Sequence, residues 1–248
     1  MKKVACVTGG ASGLGFVVVE KLLEEGYEVI ATSRSERKIK EASEVLRSEK
    51  VTFIRGDITK PKVLEEVYRF ILEKYGYINI LINNIGRMSG GGIENISTEQ
   101  WETMFDVNVH APFRITKRML CLLKRAEYGC IINVSSIASQ ITGGCMAYSA
   151  CKAALDMMTK SWAKELAKYY IRVNSVNPGL MNTGFQVNSQ IVGLSEYEDF
   201  LQQSADAYPM GTGTPADVAN LICYLVSQKG RWITGSNYII DGGRSVNL

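Results

Sequence analysis

Short apolar runs alternate with longer amphipathic stretches along the whole of this 248-residue chain. The runs at 4–8, 28–32, 51–55, 78–83, 130–135, 172–176 and 238–240 read as strands. Several are continuous and β-branched, the pattern of parallel strands buried on both faces. Helices are predicted near 13–25, 35–47, 61–74, 98–125, 147–168 and 215–227. In LEEVYRFILEKY (64–75), apolar Leu64, Val67, Phe70, Ile71 and Tyr75 fall on one helical stripe. Thr98, Trp101, Met104 and Phe105 start another. Strand–helix alternation over the full length predicts an α/β fold, a parallel sheet with helices on both faces. No linker, repeat or low-complexity tract breaks it, so residues 1–248 are expected to form one domain.

One stretch departs from the alternation. Residues 182–210 form a long insert between a strand and the next strong helix. It follows a strand's C-terminal end, where ligands bind in such sheets, and is expected to be a substrate lid. Its apolar residues, Phe185, Val187, Ile191, Val192, Leu194, Tyr197, Phe200, Leu201 and Tyr208, would build an apolar pocket with Ile137, Ile141 and Met146. The same residues could instead pack the insert to the body. Arg87 is the one nearby cation that could meet a substrate carboxylate, and is expected to be solvated.

Composition narrows the class. The chain is 46% hydrophobic and 21% charged, ordinary for a globular protein. A net charge of +3, dispersed along the chain, gives no footprint for nucleic acid. No apolar run reaches membrane-spanning length, and the apolar stretch near the N-terminus breaks too early for a signal peptide. Six cysteines contain no C-x-x-C, and there is one histidine, so no zinc site is expected. The spread of thiols fits a reduced, cytoplasmic protein, with Cys6, Cys121 and Cys223 as core filler. Lone His110 is expected to be structural.

The chemistry begins at the first strand, which runs into TGGASGLG (8–15) and then a helix. Glycines at 9, 13 and 15 let backbone turn tightly and approach a ligand, and the helix N-terminus offers N–H groups to a pyrophosphate. Further on come NNIG (83–86), Asn108 in DVNV, NVSS (133–136), YSACK (148–152), NPG (177–179), TPADVANLICYLVS (214–227) and ITGSNYIIDGG (233–243). In this order and spacing, over essentially the whole chain, they resemble the short-chain dehydrogenase/reductase family. The resemblance implies a Rossmann-type doubly wound sheet of about seven strands, a nicotinamide cofactor and a homotetramer or dimer. It places the cofactor on Gly9, Gly10, Ala11, Ser12, Gly13, Leu14 and Gly15, on Asp57 and Ile58, and on Asn84, Ile85 and Gly86. Tyr148, Lys152, Pro178, Gly179, Met181 and Thr183 complete that set. Ile85 stands where alanine is commoner.

The second strand ends at Ser33 and Arg34, where an NAD-binding unit would carry an acid. A hydroxyl and a guanidinium accept a 2′-phosphate that a carboxylate would repel, so NADP(H) is expected over NAD(H). Arg37 and Lys38 would add positive potential. In YSACK, Tyr148 and Lys152 stand four residues apart on one helix face. Tyr148 is expected as general acid in reduction and base in oxidation, and Lys152 as the cation that draws its pKa toward neutrality. By resemblance Lys152 also binds the nicotinamide ribose, and Asn108 helps hold a water beside it. Ser136 is expected to polarise the carbonyl oxygen. It precedes Tyr148 by twelve positions, whereas the family spacing is commonly about thirteen. Ser136 therefore needs a one-residue deletion in SIASQITGGCMA, and Ser135 stays open as the alternative. The substrate reads as a small-molecule ketone or secondary alcohol. An NAD-dependent alcohol dehydrogenase, a non-catalytic NADP-binding protein, and a sugar-nucleotide epimerase or dehydratase are the competing readings.

Overall fold

The seven apolar runs become seven strands in the computed structural model, which describes residues 2–142 and 145–246. They are β1 (Val4–Val7), β2 (Glu28–Ser33), β3 (Val51–Arg55), β4 (Ile80–Asn83), β5 (Gly129–Val134), β6 (Ile171–Pro178) and β7 (Asn237–Ile240). All pair in parallel, in the order β3-β2-β1-β4-β5-β6-β7. The order reverses between β1 and β4, and a crevice opens there at the C-terminal edge. The helices are α1 (Gly13–Glu24), α2 (Glu36–Leu46), α3 (Pro61–Lys74), α4 (Thr98–Phe105), α5 (Ala111–Leu123) and α6 (Met146–Leu166). Then follow α7 (Phe185–Asn188), α8 (Tyr197–Ala205) and α9 (Pro215–Val226).

Strand alternation divides the core into two layers. Val4 and Cys6 pack with Ile71 of α3 and with Met119 and Leu122 of α5. Ala5 and Val7 face the other way, toward Val18 and Leu22 of α1 and Ile222 and Leu225 of α9. Each fully buried side chain of this kind contributes about 1.5–3 kcal/mol, which is why the strands read as unbroken apolar runs.

Two expectations need correction. The single helix predicted over 98–125 is broken by a π-turn at Asp106–His110, between α4 and α5. Pro112 has no N–H to give to the carbonyl four residues back, that of Asn108, so the α-helical register stops there. Cys121 is exposed and Cys223 only partly buried, so of the three expected core thiols Cys6 alone is buried. The exposed position of Cys121 follows from its place on the outer side of α5, one step from buried Leu122.

Polar side chains cross the middle of the sheet in a chain of their own. Asn83 Nδ2 donates to Thr116 Oγ1 at 3.0 Å and to Asn133 Oδ1 at 2.8 Å. Asn133 Nδ2 donates to Thr159 Oγ1 at 2.8 Å, which in turn donates to the Leu155 carbonyl at 2.9 Å. This ties β4 and β5 to α5 and α6 directly below the crevice. Thr159→Val keeps the shape and strands one buried amide proton. It is expected to lower the unfolding free energy by about 1–3 kcal/mol, measured by urea titration; an unchanged midpoint would mean the amide finds another partner.

Candidate active site

The crevice holds a cleft of about 500 Å³, within the range of small-molecule and cofactor sites. Its floor is the turn between β1 and α1. A Cβ at Gly15 would lie 2.3 Å from the Gly9 carbonyl oxygen, so the turn closes only without one. Gly9 and Gly13 take positive φ, +70° and +55°. Ser12 stands at the N-cap of α1 but its side chain makes no cap bond, and the first turn carries no acid. The helix therefore presents uncapped N–H groups to the cleft, a fit for a pyrophosphate. Gly10 and Ala11 do not line the cleft. A Cβ at Gly10 would sit 2.8 Å from the Ala31 Cβ, so this half of the turn faces the core. Thr8 Oγ1 accepts from the Asn84 and Ile85 N–H groups at 2.9 and 3.2 Å, while Asn84 Nδ2 donates to the Thr8 carbonyl at 2.8 Å. Asn84 thus braces the glycine turn as well as lining the cleft with Ile85 and Gly86.

One end of the cleft is formed by Ser33, Arg34, Ser35, Lys38, Asp57 and Ile58. Arg37 points away, paired with Glu41 at 2.6 Å, and Arg55 pairs with Glu36 at 2.6 Å. Arg34 and Lys38 are the basic side chains left facing this end. Lys38 Nζ reaches Asn188 Oδ1 of α7 at 3.2 Å. Asp57 accepts from Thr59 through both N–H and hydroxyl, at 3.0 and 2.8 Å, which fixes its carboxyl at the rim.

At the other end stand Ser136, Tyr148 and Lys152, with Pro178, Gly179, Met181 and Thr183 closing the wall. α6 carries Tyr148 and Lys152 one turn apart, both buried. Lys152 Nζ donates to the Val134 carbonyl at 2.8 Å and lies 5.4 Å from the centre of the Tyr148 ring. The two adjacent serines point differently. Ser135 Oγ donates to the Lys152 carbonyl at 3.3 Å and bolts β5 to α6. Ser136 opens a short turn, Ile137–Ser139, and its hydroxyl lies beside the Tyr148 phenol. The loop expected to carry the deletion, 136–147, includes Gly143 and Gly144, which lie outside the described residues.

Burial sets the ionisation of the pair. It pushes the Tyr148 pKa up, more than the Ser136 side chain lowers it, and Cys145 and Cys151 add to the rise. The expected pull of Lys152 toward neutrality is overridden, because the ammonium is turned to the Val134 carbonyl and the phenol is enclosed. Burial also pushes Lys152 down, from 10.5 to about 8, against weaker opposing contributions from Cys151 and Asp156.

Asn108 does not reach the cleft. Its Nδ2 donates to the Met104 and Arg87 carbonyls at 2.9 and 2.8 Å, and its Oδ1 accepts from the Arg87 N–H at 3.2 Å. The amide is consumed in holding backbone 86–88 against the π-turn. His110 is on the surface, 3.9 Å from Asp106. In the insert, Phe185 and Tyr208 line the cleft, Tyr197 is buried beneath it, and Leu194 is 80% exposed. Ile137 lines the cleft, while Ile141 and Met146 do not. Phe185 lies 6.1 Å from Tyr148, ring centre to ring centre. Exposed Arg87 lies at the cleft mouth. The sequence reading missed Met88, Gln186 and Asn188 as lining residues, and a glutamine or asparagine in a long insert carries no spacing signal. Among the described residues there is no group of side chains that could hold a metal, and no helix is long and apolar enough to cross a membrane.

Comparison with known proteins agrees with this fold. Residues 9–245 match a family model described as enoyl-(acyl carrier protein) reductase. Dehydrogenase/reductase SDR family member 4 of Caenorhabditis elegans is 36% identical, over 99% of this chain and 96% of that protein. Cyclopentanol dehydrogenase of Comamonas testosteroni is 32% identical, over 99% of this chain and 98% of that protein. The crystal structure of L-sorbose reductase from Gluconobacter frateurii, complexed with NADPH and L-sorbose, superposes with a TM-score of 0.90 at 29% identity. It covers 100% of this chain and 98% of that one.

The buried lysine makes stability depend on pH. Its folded pKa is below its unfolded value, so between about pH 8 and pH 10 the unfolded chain binds the extra proton and the group favours folding more as pH rises. Lys152→Met lacks this gain. The stability of wild type relative to Lys152→Met is expected to rise by on the order of 1–3 kcal/mol across that window, read by urea unfolding without ligand. A constant difference would contradict the burial argument.

Proposed function

Since the chain belongs to the short-chain dehydrogenase/reductase family, we propose that it is an NADP(H)-dependent oxidoreductase interconverting a ketone and a secondary alcohol. The observation that carries this reading is one cleft with Ser136, Tyr148 and Lys152 at one end and Ser33, Arg34 and Lys38 at the other. The activities for which cyclopentanol dehydrogenase and L-sorbose reductase are named support a carbonyl or alcohol substrate, and the NADPH of the latter complex supports the cofactor.

When bound, NADP(H) supplies or accepts the hydride at the carbonyl carbon. Tyr148 donates its proton to the developing alkoxide in reduction and recovers it in oxidation. Its raised pKa keeps the phenol protonated, the form that reduction needs. The Ser136 hydroxyl donates to the same oxygen as charge grows there. Lys152, held by the Val134 carbonyl, would bind the ribose hydroxyls. Arg34 grips the 2′-phosphate through parallel hydrogen bonds, with Ser33 and Lys38 beside it. The bracing of backbone 86–88 by Asn108 keeps the wall next to Lys152 in place. Residues 182–210 act as the substrate lid, with Phe185 packed over Tyr148. Six free thiols support a reducing, cytoplasmic setting, and the exposed Phe113 of α5 and Met157 of α6 support a homo-oligomer.

Two variants test the assignment, in a panel of ketones and secondary alcohols assayed separately with NADPH and NADH. Tyr148→Phe is expected to lower kcat by roughly 10²–10⁴-fold while NADPH titration stays unchanged; near-normal turnover would refute the proton transfer. Arg34→Asp is expected to weaken NADPH by at least about tenfold to a hundredfold, the worth of each charge-assisted hydrogen bond lost, and to leave NADH nearly alone. Equal losses for both cofactors would sink the 2′-phosphate assignment.

A further inference from the structure

Asp156 is 4% exposed, and nothing in the proposed chemistry uses it. A carboxylate taken out of water requires compensation, by a cation or by hydrogen bonds. Here the compensation comes from uncharged donors. Ser139 Oγ, Asn177 Nδ2 and Gln140 Nε2 reach Oδ2 at 2.6, 2.7 and 3.1 Å. Ser175 Oγ stands 3.3 Å from Oδ1, with its single proton also within reach of Asn177 Oδ1 at 2.9 Å and Asn237 Oδ1 at 3.0 Å.

The donors come from two places. Ser139 and Gln140 belong to the turn that leaves β5, and Ser175 and Asn177 to β6. Ser136 begins that turn. Its carbonyl oxygen accepts from the Ser139 N–H at 3.1 Å and from Asn177 Nδ2 at 3.3 Å, and lies 2.9 Å from the Ser139 hydroxyl. The Ser139 hydroxyl has one proton and two acceptors within reach, and the shorter contact is to Asp156. Asp156 itself rides α6, four residues after Lys152 and eight after Tyr148, so all three project from one helix face. The carboxylate therefore sits where the Ser136 turn, the end of β6 and the Tyr148 helix meet.

We propose that Asp156 is a positioning residue: it ties the Ser136 turn to the helix that carries Tyr148, and so sets the spacing of the two hydroxyls that meet the carbonyl oxygen. This rests on the roles of Ser136 and Tyr148 proposed above. Two donors that must share one oxygen tolerate little error, and a misplacement of about 1 Å can cost roughly a hundredfold in rate. A carboxylate suits the junction because it accepts at every position and presents no proton of its own. An asparagine with its oxygen at the Oδ2 site keeps the three bonds to that oxygen. The fourth partner, the Ser175 hydroxyl, can turn round to accept.

The experiment is a set of double-mutant cycles on the full-length enzyme with NADPH and one accepted cyclic ketone. Asp156→Ala, Asp156→Asn and Ser139→Ala are each made in wild type and in Ser136→Ala. Asp156→Ala is expected to lower kcat by about tenfold to a hundredfold, with NADPH affinity and KM nearly unchanged, and Asp156→Asn to restore most of the loss. Ser139→Ala removes one strut and keeps the carboxylate, so it reports even if the alanine at 156 does not fold. Its loss is smaller and of the same kind. With Ser136→Ala there is no hydroxyl left to position, and the further losses shrink to about twofold or less. Wild-type kcat in Asp156→Ala or, where that variant does not fold, in Ser139→Ala would overturn the inference. So would losses equally large with and without the Ser136 hydroxyl, which would mark mere structural damage. Full activity in Ser136→Ala alone would instead overturn the reading beneath it, and this inference with it.

Discussion

All seven strands run the same way, and the site depends on that single constraint. A parallel sheet sends the chain out of every strand at one edge, so each following loop begins on the same side of the molecule. The glycine turn after β1, Ser33 and Arg34 at the end of β2, Asp57 after β3, Asn84–Gly86 after β4, Ser136 after β5 and Gly179–Thr183 after β6 meet there. They are scattered over most of the sequence. The reversal of strand order between β1 and β4 parts the neighbouring loops, and the gap is the cleft.

Burial, rather than neighbouring charge, governs ionisation in this cleft. Tyr148 and Lys152 stand one helical turn apart, and both are shifted toward their neutral forms. The lysine meets a carbonyl oxygen instead of the phenol, which spares the protein an unpartnered ammonium in its interior. The phenol keeps its proton, and the lysine is held at a fixed point on the cleft wall.

Around these groups, buried polar side chains act as braces. Asn84 holds the glycine turn, Asn108 holds the backbone after β4, Ser135 joins β5 to α6, and Asp156 gathers the Ser136 turn. Asn84 and Asn108 supply hydrogen bonds to backbone that a loop cannot make for itself, whereas Ser135 bonds a helix carbonyl and Asp156 bonds side chains. The cleft is thus shaped by polar contacts at its base, while the two apolar layers secure the sheet on which it stands.

The amino-acid sequence by itself determined the strands, the parallel sheet, the glycine cradle and the Tyr148–Lys152 pair. These rest on local signals: apolar period, the conformational freedom of glycine and a four-residue helical spacing. It reached Ser136 less firmly, because a strand register that slips by one residue exchanges Ser136 for Ser135. Tertiary structure alone decided where the two hydroxyls point, that Asn108 and Asn84 spend their amides on backbone, and that Gly10 and Ala11 face the core. It also decided that Lys152 does not draw the Tyr148 pKa down. Asp156 lay on a legible helix stripe, yet its four partners come from segments 16 to 21 residues away on either side. Hydrogen-bond partners and desolvation are properties of what packs together in space, and no spacing along the chain records them.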